Sequence, residues 1–136
     1  MEVTVSERIP VAWVTAENGT FFLDKSGMLL DPLQTMPVVD LPQVVNLDLD
    51  SLEQRRAAAR LVTALPPHIV SSLIKWDVKS QALVTESGAK ILLGDLEDLQ
   101  SKFALLELIW NDLSAQGIDP EVIDLRVLKN PVVRPR

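Results

Sequence analysis

The 136-residue chain is 47% apolar and 24% charged. That is the length and apolar content of one folded domain, with too much apolar mass for disorder. Nineteen acidic against thirteen basic residues leave a net charge of −6, which argues against a dedicated nucleic-acid surface. No cysteine is present and His68 is the single histidine, so disulfides, thiol catalysis, zinc fingers and His-rich metal sites are excluded.

In chain order, Pro10–Ala16 and Thr20–Asp24 are rich in β-branched and aromatic residues and flank Asn18-Gly19, the strongest local signal for a hairpin. Lys25-Ser26-Gly27 then turns the chain into Met28-Leu29-Leu30. Residues 31–50 carry Pro32, Pro37 and Pro42 with little periodicity, and read as an extended connector whose valines and leucines let it pack. A first helix is expected over Ser51–Leu65. Asp50-x-x-Glu53 and Ser51-x-x-Gln54 both have the spacing of a capping box, and Pro66-Pro67 stops the helix. Its buried stripe is Leu52, Ala58, Leu61, Val62 and Leu65, with Arg55, Arg56 and Arg60 on solvated faces.

Ile69–Asp77 has mixed periodicity and reads as a turn of helix leading into a strand. A meander follows to Leu93, with Ser87-Gly88 as its second hairpin turn and Gly94 closing it. The second helix is expected over residues 95–116, capped by Asp95, with Leu96, Leu99, Phe103, Leu106, Trp110 and Leu113 as its stripe and Gly117 as its stop. Val122–Val127 reads as a strand, Lys129-Asn130-Pro131 breaks it, and Val132–Arg134 forms a last short strand. Strands in runs, without strict alternation with helices, predict an α+β fold: a mostly antiparallel sheet with two helices packed on one face.

The longest stretch without a formal charge, Leu61 to Ile74, is interrupted by Pro66-Pro67, whereas a spanning helix needs about 20 mostly apolar residues. Glu2, Glu7 and Arg8, interleaved with valines, do not make a signal-peptide pattern. The chain taken alone is expected to be soluble. No enzyme signature is visible. His68 has no orienting acid in sequence, the aspartates of residues 24–50 lack the spacing of a calcium loop, and a strand separates Gly88 from Gly94, which excludes a phosphate cradle. Charge is uneven: residues 1–50 hold eight acids and two bases, whereas Leu125–Arg136 carries Arg126, Lys129, Arg134 and Arg136 with no acid. That basic tail reads either as a solvated C-terminus or as a contact for an acidic partner segment.

Three stretches together resemble the FtsQ/DivIB family of bacterial cell-division proteins. Glu7-Arg8-Ile9-Pro10-Val11-Ala12 is similar to the family's ERxPVA junction. Phe22-Leu23-Asp24-Lys25-Ser26-Gly27 is similar to its hLID-x-x-G hairpin, and Ile123-Asp124-Leu125-Arg126 to its late IDLR strand. Between them lie, in matching order, the Leu41-Pro42 connector, the two helices and a hairpin ending Ile91-Leu92-Leu93-Gly94. The chain departs from the pattern at Val127, where some members carry an aromatic residue, and at Leu128-Lys129-Asn130-Pro131, which replaces a polar loop.

The resemblance implies that residues 1–8 are the remnant of the last strand of a POTRA domain and that 9–136 form the β domain that follows it. It implies a non-catalytic scaffold in septum formation, without cofactors, nucleic acid or small-molecule substrate. That scaffold would work on the extracytoplasmic face of the cytoplasmic membrane, held by a transmembrane helix outside this chain. Its partners would be FtsB/DivIC-like and FtsL-like division proteins, bound along a C-terminal sheet edge comprising Arg126, Val127, Lys129, Val132, Val133 and Arg134. The alternative is an extracytoplasmic adaptor of similar fold with a different protein partner.

Overall fold

The computed structural model describes residues 9–16, 19–31, 41–66 and 75–136. The expectations for residues 1–8, for Asn18, for His68 and for the turn of helix before Lys75 lie outside the described residues. The first strands follow the sequence pattern. β1 (Pro10–Ala16) and β2 (Gly19–Asp24) pair antiparallel, and β3 (Leu29–Leu30) pairs with β2.

The turn between β2 and β3 shows what the Asp-x-x-Gly spacing does. Asp24 Oδ1 accepts from Ser26 N–H at 3.0 Å, Ser26 Oγ–H at 2.7 Å and Met28 N–H at 2.9 Å. Gly27 sits at φ +89°, where a Cβ would come within 2.8 Å of Arg56 Cγ and 3.0 Å of Arg56 N. The turn therefore rests on the first helix, and only glycine combines that φ with that approach.

That helix, α1 (Leu52–Ala64), starts at Ser51, whose side chain accepts from Gln54 N–H at 3.2 Å. Gln54 Oε1 reaches back past the cap to Asp48 N–H, at 3.0 Å. Arg55 departs from its expected solvated position: it is half-buried and donates from Nη1 to the Leu49 carbonyl at 2.6 Å. The second helix, α2 (Leu99–Ala115), begins four residues later than expected, since Asp95 does not cap it. Asp95 Oδ1 accepts from Glu97 N–H at 3.1 Å, and the helix starts after Asp98, which holds φ 54°. At its other end Gly117 N–H donates to Ser114 O and Ile118 N–H to Leu113 O, the paired bonds of a glycine-terminated helix.

The remaining strands are β4 (Gln43–Val45), β5 (Lys75–Asp77), β6 (Ala82–Val84), β7 (Lys90–Leu92), β8 (Pro120–Asp124) and β9 (Val132–Pro135). All lie in one nine-stranded sheet of order β3-β2-β1-β4-β5-β6-β7-β8-β9. The sheet is mixed, which corrects the expectation of a mostly antiparallel one. β1/β4, β4/β5 and β7/β8 are parallel, and the other neighbours antiparallel. The reason for two of these three parallel pairs, β4/β5 and β7/β8, is that each helix is a crossover. α1 joins β4 to β5 and α2 joins β7 to β8, and a helix between neighbouring strands returns the chain in the same direction. Reading Gln43–Val45 as connector hid the strand that makes the first of these units.

Register places one row of side chains across the sheet: Val14, Val44, Trp76, Leu83, Ile91, Ile123 and Val133, each opposite the next. All but Val133 are buried. They form one core with Ala58, Ala59, Leu61 and Val62 of α1 and Leu99, Phe103 and Leu106 of α2. Lys102 is buried among them at 4% exposure. Its ammonium donates to Leu93 O at 2.8 Å and Asp95 O at 2.9 Å, with Asp95 Oδ1 at 3.3 Å, so the charge is satisfied.

Leu106 is fully buried, and Leu106→Ala is expected to cost about 2–5 kcal/mol through the cavity it leaves. Gly27→Ala should cost about 1–3 kcal/mol from backbone strain. Arg60→Ala, at an exposed helix position, should stay within about 0.5 kcal/mol. Urea midpoints of the three variants check the assignment, and equal losses would overturn it.

Candidate partner-binding edge

Among the described residues β9 ends the sheet and pairs only with β8, through Pro120↔Pro135, Val122↔Arg134, Ile123↔Val133 and Asp124↔Val132. Backbone alternation decides which of its groups face outward. Arg136 N–H donates to Asp119 O at 3.0 Å, toward β8. The N–H groups of residues i and i+2 share an edge, so those of Val132 and Arg134 also point to β8, and that of Val133 points away. Pro131 and Pro135 fall on the outward side and have no N–H. The free edge thus offers a single strand donor, Val133 N–H, among outward carbonyls. An edge this poor in donors resists indiscriminate pairing.

The side chains of the expected site divide between the two faces and the loop before β9. Val133 points toward the core and packs against it. Val132 and Arg134 point to the opposite face, and Val132 is 52% exposed. Val127 is 61% exposed and lies with Lys129 in the connection from β8. Asn130 N–H donates to Val127 O at 3.1 Å and closes that connection.

The basic tail is less bare in space than in sequence, because β8 and the residue before it supply acids. Arg126 Nε donates to Asp124 Oδ1 at 3.0 Å and its Nη2 to Asp124 Oδ2 at 2.7 Å, a bidentate pair. Arg126 N–H also reaches Asp124 Oδ1, at 3.0 Å. Arg134 Nε lies 4.0 Å from Glu121 Oε2, and Arg136 Nη1 lies 3.4 Å from Asp119 Oδ2. Arg136 also donates to the Ser87 carbonyl, tying the end of β9 to the β6–β7 turn. Lys129 has no ion-pair partner among the described residues.

Reading the sequence for cations missed Asp124, Glu121 and Asp119. The available signal was their i, i+2 or cross-strand placement against the arginines. It also read Gly94 only as the close of the meander; at its φ of +69° a Cβ would stand 3.2 Å from Arg126 Cγ. The stem of Arg126 therefore lies across Gly94, so the ends of the ILLG and IDLR stretches touch. Leu125 N–H, bonded to Leu92 O at 2.8 Å, fixes that alignment. Among the described residues, no group of three or more His, Cys, Asp or Glu could hold a metal ion, and no helix is long and apolar enough to cross a membrane.

Hydrogen bonding from Arg126 holds the Asp124 carboxyl below its ordinary value of 3.8, against a smaller opposing effect of burial. A depressed folded pKa stabilises the fold above the unfolded value. That contribution is lost as pH falls through the folded value. The Asp124 carboxyl carbon should therefore titrate below 3.8 by NMR, and should move upward in Arg126→Gln. The same titration in both proteins would mean that the pair does not form in solution.

Comparison with known proteins bears on what this edge belongs to. The family described as cell division protein FtsQ/DivIB, C-terminal, matches residues 11–126. Among solved structures, the major extracytoplasmic domain of the trans isomer of the bacterial cell division protein DivIB from Geobacillus stearothermophilus is similar at 19% identity and a TM-score of 0.45, covering 63% of this chain and 77% of that one. No curated protein matches the sequence. The span of the family match takes in the turn on Gly27, both helices and the Asp124–Arg126 pair, and the chain belongs to the FtsQ/DivIB family of bacterial cell-division proteins.

Proposed function

We propose that this chain is a non-catalytic scaffold domain of the division machinery. It binds FtsB/DivIC-like and FtsL-like proteins along β9 on the extracytoplasmic side of the cytoplasmic membrane. The observation that carries this reading is the free edge of β9, with one outward donor at Val133 flanked by prolines. A partner segment adds a short strand along Val132–Arg134, held by few backbone bonds. Side chains then supply the rest of the affinity: Arg126 and Lys129 pair partner carboxylates, and Val127 and Val132 offer exposed apolar surface. Such a contact weakens with salt, because exposed pairs are screened over about 8–10 Å.

The test uses variants of the whole chain titrated with the extracytoplasmic segment of the same organism's FtsB- or DivIC-like protein. Val133→Pro removes the outward N–H and leaves both inward ones, so the fold should persist and affinity should fall about tenfold. Arg126→Gln should lower affinity by a similar factor and flatten the salt dependence. Wild-type binding by both variants would show that β9 is not the site. Retained circular dichroism and melting temperature separate loss of contact from loss of fold.

A further inference from the structure

The geometry of Arg126 goes further than a cation near an edge. Its Nε–Nη2 side is taken by Asp124, side-on, at 3.0 and 2.7 Å. Its stem rests on Gly94, where the absent Cβ leaves room for the chain of methylenes. The backbone N–H of the same arginine is held by the same carboxylate. A guanidinium has five N–H donors in a rigid plane, and a side-on carboxylate uses only one flank of it. Among the described residues nothing takes the Nη1–Nη2 end, on a side chain that is 59% exposed.

We propose that Asp124 and Gly94 are positioning residues that present the Nη1–Nη2 end of Arg126 as a fixed fork for a second carboxylate, carried by the partner segment. This rests on the β9 edge being the binding site. The chemistry it names is a planar acid, a glutamate or aspartate side chain, approaching end-on.

Simple charge arithmetic gives the opposite sign. Asp124 carries the same charge as the incoming acid. If attraction were all that mattered, neutralising Asp124 would strengthen binding. Holding a long side chain in place works the other way, because the ordering cost of that side chain is met before the partner arrives. Asp124→Asn keeps an acceptor for Arg126 N–H and so keeps the local turn, but it loses the bidentate ion pair.

The experiment measures binding of the same FtsB- or DivIC-type segment to wild type, Asp124→Asn, Arg126→Gln and the double variant, together with the Arg126 Nε–H resonance of each free chain. Asp124→Asn is expected to bind about three- to tenfold more weakly, with the fold retained by circular dichroism at the temperature of the titration. In the Arg126→Gln background the same substitution should do nothing more, since the two act as a unit. Arg126 Nε–H should be a sharp, slowly exchanging signal in the wild type and broaden in Asp124→Asn. Equal or tighter binding by Asp124→Asn, while Arg126→Gln and Val133→Pro still weaken it, overturns the positioning role and leaves the edge site standing. Normal binding by Arg126→Gln and Val133→Pro overturns the edge site, and the fork with it. A freely rotating Arg126 guanidinium in the wild type overturns the fork without reference to any partner.

Discussion

A single row of apolar side chains from Val14 to Val133 runs across seven strands, one residue from each. A sheet of short strands has little stability from its ladders alone, since a three-residue strand such as β5 or β6 contributes few bonds. Burial of one continuous face is what fixes register, because a slip of one residue would carry a strand's whole apolar set to the opposite face. Both helices cover that face, each as the crossover between two neighbouring strands. The parallel pairs β4/β5 and β7/β8 follow from those crossovers.

The same row reaches the edge strand β9 at the C-terminal end of the sheet. Val133 is its last member, and its contact with the core places β9 in a definite register on β8. Alternation then turns Val133 N–H outward while its side chain faces the core. One residue therefore couples core packing to the placement of the outward donor. Pro131 and Pro135 remove the neighbouring donors from the outward edge, so the core row sets where the sole remaining donor stands.

Much of this was legible in the residues. The β1–β2 hairpin, both helices and the β6–β7 hairpin carry their own punctuation: Gly19 and Gly88 at positive φ, Ser51 as a cap, Gly117 as a stop. Gln43–Val45 was not legible, because three residues between Pro42 and Asn46 are too few for periodicity. They become a strand by pairing with β1 and β5. Asp95 was misread as a helix cap because an aspartate with the right spacing has other uses. Here its carboxylate turns the backbone at Glu97, and its carbonyl holds the ammonium of Lys102. The candidate site was half legible. The arginines stood out, but the acids that meet them are contributed through register and local turns. Charge counted along a segment says little about charge in space.

Pairing the tail's three arginines with Asp124, Glu121 and Asp119 also shapes what kind of contact the edge can make. A bare cluster of cations would attract any acidic chain over long range, with strong salt dependence and little discrimination. Neutralised locally, the same arginines lose reach and retain directional donors. Recognition in the proposed complex then depends on simultaneous fit: a backbone carbonyl opposite Val133 N–H and an acid at the right distance along the partner. Neither contact alone is strong, since an exposed ion pair is worth about 0–1 kcal/mol and one net hydrogen bond about 0.5–1.5 kcal/mol. Together, on a rigid sheet that has already met the ordering cost, the two contacts of the proposed complex select a register without making the pairing tight.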